Sequence, residues 1–237
     1  MRETIGLLGG TFNPIHRGHL EMAEAAKRDL SLHRVILMPN GDPPHKSEGL
    51  AGKRHRLRMT ELAAGGRYEV SPLEVDRPGK TYTVDTLEAL HALYPNADLI
   101  VIIGGDTLGE IATWKDAPRV FSLCRFAVFA RGDAPLSPPP GAQVVRLSSA
   151  ISPVSSTEIR ARVHRGLSLS GLTPPAVADY IGEKRLYDPP KRVQDKAVRK
   201  RLREELPNGR FKHVLGVEET IRFLAKRWGY DPKRAAL

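Results

Sequence analysis

The segment GGTFNPIHRGHL, residues 9–20, decides the fold of this 237-residue chain, and a short apolar strand runs straight into it. Its two leading glycines let the backbone approach a ligand with no side chain in the way. His16 and His19 lie at the predicted start of a helix, where backbone amides and the positive dipole end bind phosphate. Their imidazoles add donors that can be neutral or charged near pH 7. We therefore predict a nucleotide-phosphate site that differs from the GxxxxGK[ST] loop.

Apolar segments beyond this motif predict alternating strands and helices. Strands are expected at residues 4–8, 34–38, 68–75, 98–103, 125–130 and 143–147, and helices at residues 17–30, 53–64, 83–93, 156–165 and 174–183. This alternation indicates the α/β class with a Rossmann-like, doubly wound parallel sheet. Ligands of such sheets bind beyond the carboxyl ends of the strands. The glycines at 9–10, Asn40 and the GGD at 104–106 are expected to meet in one cleft there.

Length and composition describe one ample α/β domain with a small appendage. The chain is 41% hydrophobic and 27% charged, and no apolar run approaches the ~18 residues that a membrane span needs. The first ten residues lack the long apolar core of a signal peptide, so we expect a cytosolic protein without membrane partners. The single Cys124 excludes an intramolecular disulfide and a cysteine metal cluster, and its apolar neighbours favour a buried thiol.

The net charge of +10 is concentrated in one part of the chain. Residues 189–237 hold 14 Lys and Arg against 6 Asp and Glu, a balance of +8, so residues 1–188 hold 23 against 21. A basic tail raises the hypothesis of a nucleic-acid-binding protein. The tail lacks the aromatic platforms expected for single strands and any recognisable groove-reading motif, so this is the less favoured alternative.

A second motif, VSSTEIRARV at residues 154–163, begins a predicted helix. Ser155 and Glu158 fit a capping box, which is worth ~1 kcal/mol to a helix. The capping box does not explain Thr157 and Arg160, which lie three residues apart on one helical face. A hydroxyl and a guanidinium at a helix start form a second phosphate site.

The two motifs together resemble the nucleotidyltransferase superfamily, whose HxGH and SxTxxR signatures map to residues 16–19 and 155–160. Within it the chain is most similar to bacterial nicotinate-nucleotide adenylyltransferases. The narrower match rests on PNGDPPHK at 39–46, RPGKTYTVDTL at 77–87, IIGGDTLGEIATWKD at 102–116 and VADYIGEKRLY at 177–187. The resemblance covers residues 1–188 and implies a nucleotidyltransferase domain followed by a short C-terminal helical extension at 189–237.

The resemblance implies a reaction between ATP and nicotinate mononucleotide. A phosphate oxygen of the mononucleotide attacks the α-phosphorus, pyrophosphate leaves and deamido-NAD is formed, a step of NAD biosynthesis. Because the attacking phosphate is already anionic, catalysis needs positioning and charge stabilisation rather than a general base. The resemblance assigns catalysis to His16, His19 and Arg160. It also implies Mg²⁺ bound to ATP oxygens and water, without a dedicated carboxylate cage.

The resemblance also divides the site residues between the two substrates. ATP-binding residues are Gly9, Gly10, Thr11, Phe12, His16, His19, Gly104, Asp106, Ser155, Thr157 and Arg160. Mononucleotide-binding residues are Asn40, His45, Lys46, Thr81, Tyr82, Thr83, Asp106, Trp114 and Arg131. In this mapping His45 and Lys46 belong to the substrate-phosphate segment, and Trp114 stacks on the pyridine ring. Backbone amides of residues 81–83 bind the nicotinate carboxylate.

Several alternatives stay open at this point. Two imidazoles three residues apart could bind zinc, although no acidic or cysteine partner lies between or just before them. A tryptophan in an α/β domain is most often a core residue, which is the alternative for Trp114. The acceptor could be nicotinamide mononucleotide or phosphopantetheine, and Trp114 with TYTVDTL counts against the latter. A homo-oligomer is also left open.

The family fold is expected to finish near Tyr187, before a basic tail with helices at 193–206 and 211–228. Residues 210–237 resemble the first part of an HD-type metal-dependent phosphohydrolase domain, with His213 as its first metal ligand. The His-Asp pair and final Asp of that pattern do not follow, so we predict a tail that binds no catalytic metal and hydrolyses nothing. The apolar residues at 214, 217, 221 and 224 need a partner face, or the tail is poorly ordered.

Overall fold

Six parallel strands form one sheet with the order β3-β2-β1-β4-β5-β6. The strands are β1 (Glu3–Gly10), β2 (Arg34–Pro39), β3 (Glu69–Val70), β4 (Ala97–Gly104), β5 (Arg125–Phe129) and β6 (Val144–Leu147). The computed structural model describes residues 2–42, 49–130, 135–188, 200 and 202–227. The strand order reverses direction between β1 and β4, which confirms the predicted Rossmann-like, doubly wound sheet.

Helices from the first 188 residues cover both faces of this sheet, and one further helix lies in the tail. The helices are α1 (Arg17–Asp29), α2 (Lys53–Ala64), α3 (Leu73–Asp76), α4 (Thr83–Leu93), α5 (Gly105–Leu108), α6 (Ala117–Leu123), α7 (Ser156–Arg165), α8 (Pro175–Glu183) and, in the tail, α9 (Asn208–Arg227). Buried residues of α1, α2, α7 and α8 form one apolar layer, and those of α4, α5 and α6 form the other. The central strands are apolar on both faces because each face packs against helices.

The register of the central strands aligns their carboxyl ends. Gly10 of β1 pairs with Pro39 of β2, and Gly104 of β4 pairs with Phe129 of β5. Along β1, Leu7 packs into one apolar layer and Leu8 into the other, since successive side chains of a strand point to opposite faces. The loops that follow these strands therefore begin at the same edge of the sheet.

Residues 68–75 differ from the predicted strand. Only Glu69–Val70 pairs with β2, and α3 follows at Leu73–Asp76. Pro72 interrupts the segment because proline has no amide hydrogen for a strand ladder. The sequence prediction also missed α5, α6 and a 3-10 turn at Ile111–Thr113. The other predicted strands and helices of residues 1–188 agree with the structure within two residues at each end.

Part of the basic tail is described. Residues 202–205 are helical, and α9 begins three residues before the predicted helix at 211–228. Most of the predicted helix at 193–206 lies outside the described residues. Val214, Val217 and Ile221 of α9 are exposed, whereas Ala225 is buried. In the part of the chain that the structure describes, no helix is both long enough and apolar enough to span a membrane.

Candidate active site

A cleft of about 360 Å³ opens at the carboxyl ends of β1, β2 and β4. Its walls come from strand ends, from the start of α4 and from the segment after α5. Nine of the residues that the sequence assigned to the site line it: Gly9, Gly10, His19, Asn40, Thr81, Thr83, Gly104, Asp106 and Trp114. The structure thus brings residues predicted for both substrates into one space. Their individual roles stay predictions.

The two glycines at the end of β1 have different surroundings. A Cβ atom added to Gly9 would meet only the Met38 carbonyl oxygen, at 4.0 Å, so the strand end stays open toward the cleft. A Cβ atom on Gly10 would lie 2.8 Å from the ring of Phe12. Phe12 is buried in the core and touches the ring of His19 edge-on, with centroids 4.9 Å apart. The buried ring of Phe12 therefore packs against the His19 ring and limits the positions that it can take.

The two histidines of the HxGH motif stack on each other. Their ring centroids are 3.7 Å apart with an interplanar angle of 27°. The backbone amide of His16, at the start of α1, donates to Nδ1 of His19 across 3.2 Å. Gly18 leaves room for this arrangement, since a Cβ atom there would lie 3.3 Å from the His16 ring.

Burial decides the protonation of both imidazoles. It lowers the pKa of His16 to about 4, against an opposing contribution from Glu21. Burial, with a further contribution from His16, lowers the pKa of His19 to about 3. Both rings are therefore neutral near pH 7, so they can offer hydrogen bonds but no charge. Nδ1 of His16 is buried and has no hydrogen-bond partner among the described residues.

The geometry of the histidine pair does not resemble a zinc site. The rings face each other, and Nδ1 of His19 is already used by the His16 amide. Within the described ranges, no group of three or more His, Cys, Asp or Glu residues is placed to hold a metal ion. The ring geometry therefore does not favour the zinc alternative, and the assignment of the pair to ATP phosphate stays a prediction.

Three side chains from distant parts of the chain hold the loop before α1. Each donates to one of the consecutive backbone carbonyls of residues 13–15, and the donor–acceptor distances are 2.8 to 2.9 Å. The pairs are Arg160 Nη1 with Asn13, Ser156 Oγ with Pro14, and Thr173 Oγ1 with Ile15. The backbone of this loop is therefore held by contacts with α7 and with the residue that precedes α8 by two positions. The sequence did not single out Ser156 or Thr173, because their partners lie more than 140 residues away.

The start of α7 forms only half of the predicted capping box. Ser155 accepts a hydrogen bond from the Glu158 amide at 3.1 Å, but the Glu158 carboxylate pairs with Arg162. Arg160 Nη2 donates to Thr157 Oγ1 at 3.2 Å, so the predicted hydroxyl–guanidinium pair is in contact. Ser155 and Thr157 line a separate depression beside α7, next to Arg162.

A buried arginine that the sequence did not single out holds the loops of the cleft together. Arg56 of α2 is 1% exposed, and its guanidinium donates to four backbone carbonyls. These are Asn40 at 2.7 Å, Thr11 at 2.8 Å, Gly41 at 2.6 Å and Ala51 at 3.1 Å. In the sequence KRHRLRMTELAA it stands among other cationic residues. The signal that could have found it was its helical spacing to the apolar Met59 and Ala63, three and seven residues later.

A buried carboxylate, also missed from the sequence, lies in the cleft wall. Glu74 of α3 lines the cleft and accepts a 2.7 Å hydrogen bond from Thr86 Oγ1. Burial raises the pKa of Glu74, while hydrogen bonds from Thr86, Thr81 and the Gly41 amide oppose the rise. Glu74 therefore links the end of β2 to the start of α4.

The predicted nicotinate end of the cleft contains Trp114 and the start of α4. Trp114 is half-buried, packs edge-on against Phe126 at 6.2 Å and also lines the cleft, so its position is compatible with both the core and the binding alternatives. Thr81 and Thr83 line the cleft, whereas the ring of Tyr82 lies under Lys115 Nζ at 4.6 Å. The predicted substrate residues His45, Lys46 and Arg131 lie outside the described residues.

Comparisons with known proteins show which proteins this chain is similar to. A family model described as cytidylyltransferase-like matches residues 7–162. A probable nicotinate-nucleotide adenylyltransferase of Synechococcus sp. (strain JA-3-3Ab) is 41% identical over 198 residues, which cover 77% of this chain and 94% of that protein. One from Clavibacter michiganensis subsp. michiganensis is 40% identical over 193 residues, covering 80% of this chain and 96% of that protein.

Solved structures share the fold at lower identity. The nicotinic acid mononucleotide adenylyltransferase of Plasmodium falciparum, solved with NaAD, superposes with a TM-score of 0.65 at 20% identity. The match covers 78% of this chain and 97% of that one. A putative nicotinate-nucleotide adenylyltransferase from Vibrio parahaemolyticus gives a TM-score of 0.58 at 21% identity over 78% of this chain and 95% of that one. Sequence identity and coverage of the curated relatives show that the chain belongs to the nicotinate-nucleotide adenylyltransferase family, within the cytidylyltransferase-like proteins.

Proposed function

We propose that this chain transfers the adenylyl group of ATP to nicotinate mononucleotide and releases pyrophosphate. The observation that carries the proposal is the single cleft in which His19, Asp106 and Trp114 line the same space. Residues predicted for ATP and residues predicted for a pyridine mononucleotide thus face each other, as a reaction between two nucleotides requires. Membership of the family supports the same activity.

In the proposed reaction an oxygen of the mononucleotide phosphate forms a bond to the α-phosphorus of ATP. The bond from the α-phosphorus to its bridging β-oxygen breaks, and pyrophosphate takes the electron pair. The attacking oxygen is anionic near neutral pH, so no proton has to be removed. The protein therefore contributes in-line positioning and stabilisation of charge on the phosphoryl oxygens.

The ATP side of the site combines neutral and cationic donors. His16 and His19 are neutral, and the positive end of the α1 dipole lies beside them. Arg160 uses one N–H on Asn13 and one on Thr157, and a guanidinium has five. Its remaining donors can bind a phosphate oxygen without releasing the loop. Positive charge thus lies beside a loop whose backbone carbonyls are held by hydrogen bonds.

The acceptor side supports the proposed preference for the carboxylate form of the mononucleotide. The start of α4 forms part of the cleft wall through Thr81 and Thr83, and the first amides of a helix favour an anion. Trp114 offers a ring on which the pyridine can stack. Asp106 is exposed in the cleft and can accept hydrogen bonds from ribose hydroxyls. His45, Lys46 and Arg131 remain the predicted cations for the mononucleotide.

Mg²⁺ fits this site as a partner of ATP rather than as a resident of the protein. It is bound through substrate phosphates and keeps several waters in such sites, so it does not need a cage of carboxylates. Asp106 and Glu74 are carboxylates of the cleft wall, but Glu74 is buried and already hydrogen-bonded. Asp106 is therefore the described residue that we expect to hold a water ligand of the ion.

The experiment that tests the proposal measures pyrophosphate release with ATP, Mg²⁺ and either nicotinate or nicotinamide mononucleotide. We expect strong preference for the nicotinate form. A His19→Ala variant, purified identically, serves as the control for contaminating activities. Equal use of both acceptors would preserve the chemistry and overturn the carboxylate contact at α4. Absence of release with either acceptor, in folded protein, would overturn the substrate assignment.

A further inference from the structure

Arg56 is a buried charge whose hydrogen bonds go to the backbone. It is 1% exposed, and among the described residues no carboxylate lies within ion-pair distance of it. A buried cation is tolerated only when its donors are satisfied. The carbonyls of Thr11, Asn40, Gly41 and Ala51 satisfy them, at 2.6 to 3.1 Å. We call these four carbonyls and the guanidinium the Arg56 junction.

The Arg56 junction joins the two halves of the cleft. Thr11 belongs to the loop that leads from β1 to the histidine pair, on the ATP side. Asn40 and Gly41 follow β2, on the acceptor side. The last backbone hydrogen bond between the two segments runs from the Asn40 amide to the Gly10 carbonyl at 2.9 Å. Beyond that bond the segments have no ladder, and the planar guanidinium spans the gap between them.

The Arg56 junction extends to the start of α4 through one glycine. The carbonyl of Gly41 accepts from Arg56 Nη2, and the amide of Gly41 donates to the Glu74 carboxylate. Glu74 in turn holds Thr86 and Thr81. A Cβ atom at Gly41 would overlap the backbone carbonyl oxygen of Glu74, so only glycine fits at this position. A continuous set of contacts therefore runs from the ATP loop to the predicted nicotinate end.

We propose that Arg56 is a positioning residue for adenylyl transfer, which sets the separation between the loop that holds ATP and the loop that holds the acceptor. This inference rests on the proposed function. In-line attack requires the reacting atoms at about 3–3.5 Å, and a misplacement of about 1 Å can reduce a rate about 100-fold. Arg56 acts through other residues, because it does not line the cleft and the atoms it holds are backbone carbonyls.

The test compares Arg56→Lys with a matched control on the same helix. Lysine keeps the charge, but its single ammonium cannot span four carbonyls. We expect the single-turnover rate to fall about tenfold to 100-fold. The Kd of ATP alone and of nicotinate mononucleotide alone should change by less than about threefold, because each loop still binds its own substrate.

The control is Thr60→Val, which removes a buried 2.8 Å hydrogen bond from Thr60 Oγ1 to the Arg56 carbonyl. We expect this variant to lower the Tm, because it weakens the helix that carries Arg56. It should leave the guanidinium contacts intact. Its rate should stay within about twofold of the wild type. A folded Arg56→Lys protein whose rate matches that of Thr60→Val would overturn the positioning role and leave Arg56 purely structural.

A second variant approaches the same junction from its other end. Gly41→Ala pushes Gly41 away from Glu74 while Arg56 is intact, and it should show the same loss of rate with nearly unchanged Kd values. If both variants unfold even at low temperature while Thr60→Val stays folded, the junction serves the fold and the proposal is wrong. A wild type that releases no pyrophosphate overturns the proposed function itself, whereas an active wild type with an unaffected Arg56→Lys variant overturns only this inference.

Discussion

Arg160 of α7 donates a 2.8 Å hydrogen bond from Nη1 to the carbonyl oxygen of Asn13, which lies 147 residues earlier in the chain. The neighbouring Ser156 does the same for Pro14. The SxTxxR helix therefore supports the loop that carries the HxGH histidines. The two motifs form one structural unit, although the sequence presents them as separate phosphate sites.

Substitution of Arg160 by Gln should reduce kcat for pyrophosphate release by about 10²–10³, the cost of losing one strong donor to transition-state charge. Glutamine removes the charge and, being shorter, also loses the Nη1 contact with Asn13, so a control for the loop contact is needed. The matched control is Ser156→Ala, which breaks the adjacent loop contact to Pro14 and changes no charge. An equal loss in both variants would show that Arg160 acts only by holding the loop.

The histidine pair should make stability depend on pH in a defined window. An unfolded histidine has a pKa of 6.5, whereas the pKa values in the fold are about 4 for His16 and about 3 for His19. The unfolded chain therefore binds more protons below pH 6.5. The stabilising contribution is complete above pH 6.5 and is lost as the pH falls through 6.5 toward 4 and 3.

Urea unfolding of wild type and His19→Gln across this window measures the effect. The free energy of unfolding should fall in both proteins between pH 6.5 and pH 4. The fall should be smaller in the variant, by on the order of 2 kcal/mol, because the variant lacks one of the two buried imidazoles. The carboxylates titrate alike in both proteins, so their contribution cancels in the comparison. Identical pH profiles would mean that His19 is not held in its neutral form by burial.

Replacement of Trp114 by Leu should raise the Kd of nicotinate mononucleotide roughly tenfold or more, since aromatic stacking on a base contributes about 1–3 kcal/mol. The Kd of ATP should change little. Phe121→Leu is the matched control, because Phe121 also packs edge-on against Phe126, at 6.0 Å, and does not line the cleft. If both variants weaken acceptor binding equally, Trp114 contributes through core packing alone. Calorimetry with each substrate separates these outcomes.

Removal of residues 189–237 should leave adenylyl transfer within about twofold of the full chain. The last described residue that lines the cleft is Trp114, and α8, which completes one apolar layer of the domain, ends at Glu183. Both lie before the deleted segment. Any binding of RNA or DNA by the full chain should disappear with the basic tail.

A longer truncation serves as the control for the tail prediction. Removal of residues 175–237 also deletes α8, whose Val177 and Ile181 are buried in the apolar layer that includes α1 and α2. That protein should fail to fold, since deletion of large buried side chains costs about 2–5 kcal/mol each. Loss of folding in the shorter truncation as well would show that the tail is part of the domain. Circular dichroism and pyrophosphate release measure both outcomes.

The sequence was sufficient for five of the six strands and for nine of the residues that line the cleft. Strand and helix periodicities are local, and the parallel order follows from their alternation. The strand-end residues Gly9, Asn40 and Gly104 could be placed together because carboxyl ends of parallel strands share one edge. The strand expected at 68–75 was wrong because Pro72 and α3 follow the short β3.

The tertiary structure decided which residues hold the site and in which protonation state. Arg56 and Glu74 are ordinary charged residues in the sequence, and only the packed fold buries them against Gly41. The neutral state of His16 and His19 follows from burial, which no motif encodes. Local patterns specify secondary structure and the edge of the sheet where a ligand binds. Contacts between residues far apart in the chain, and the removal of charge from water, exist only once the chain has folded.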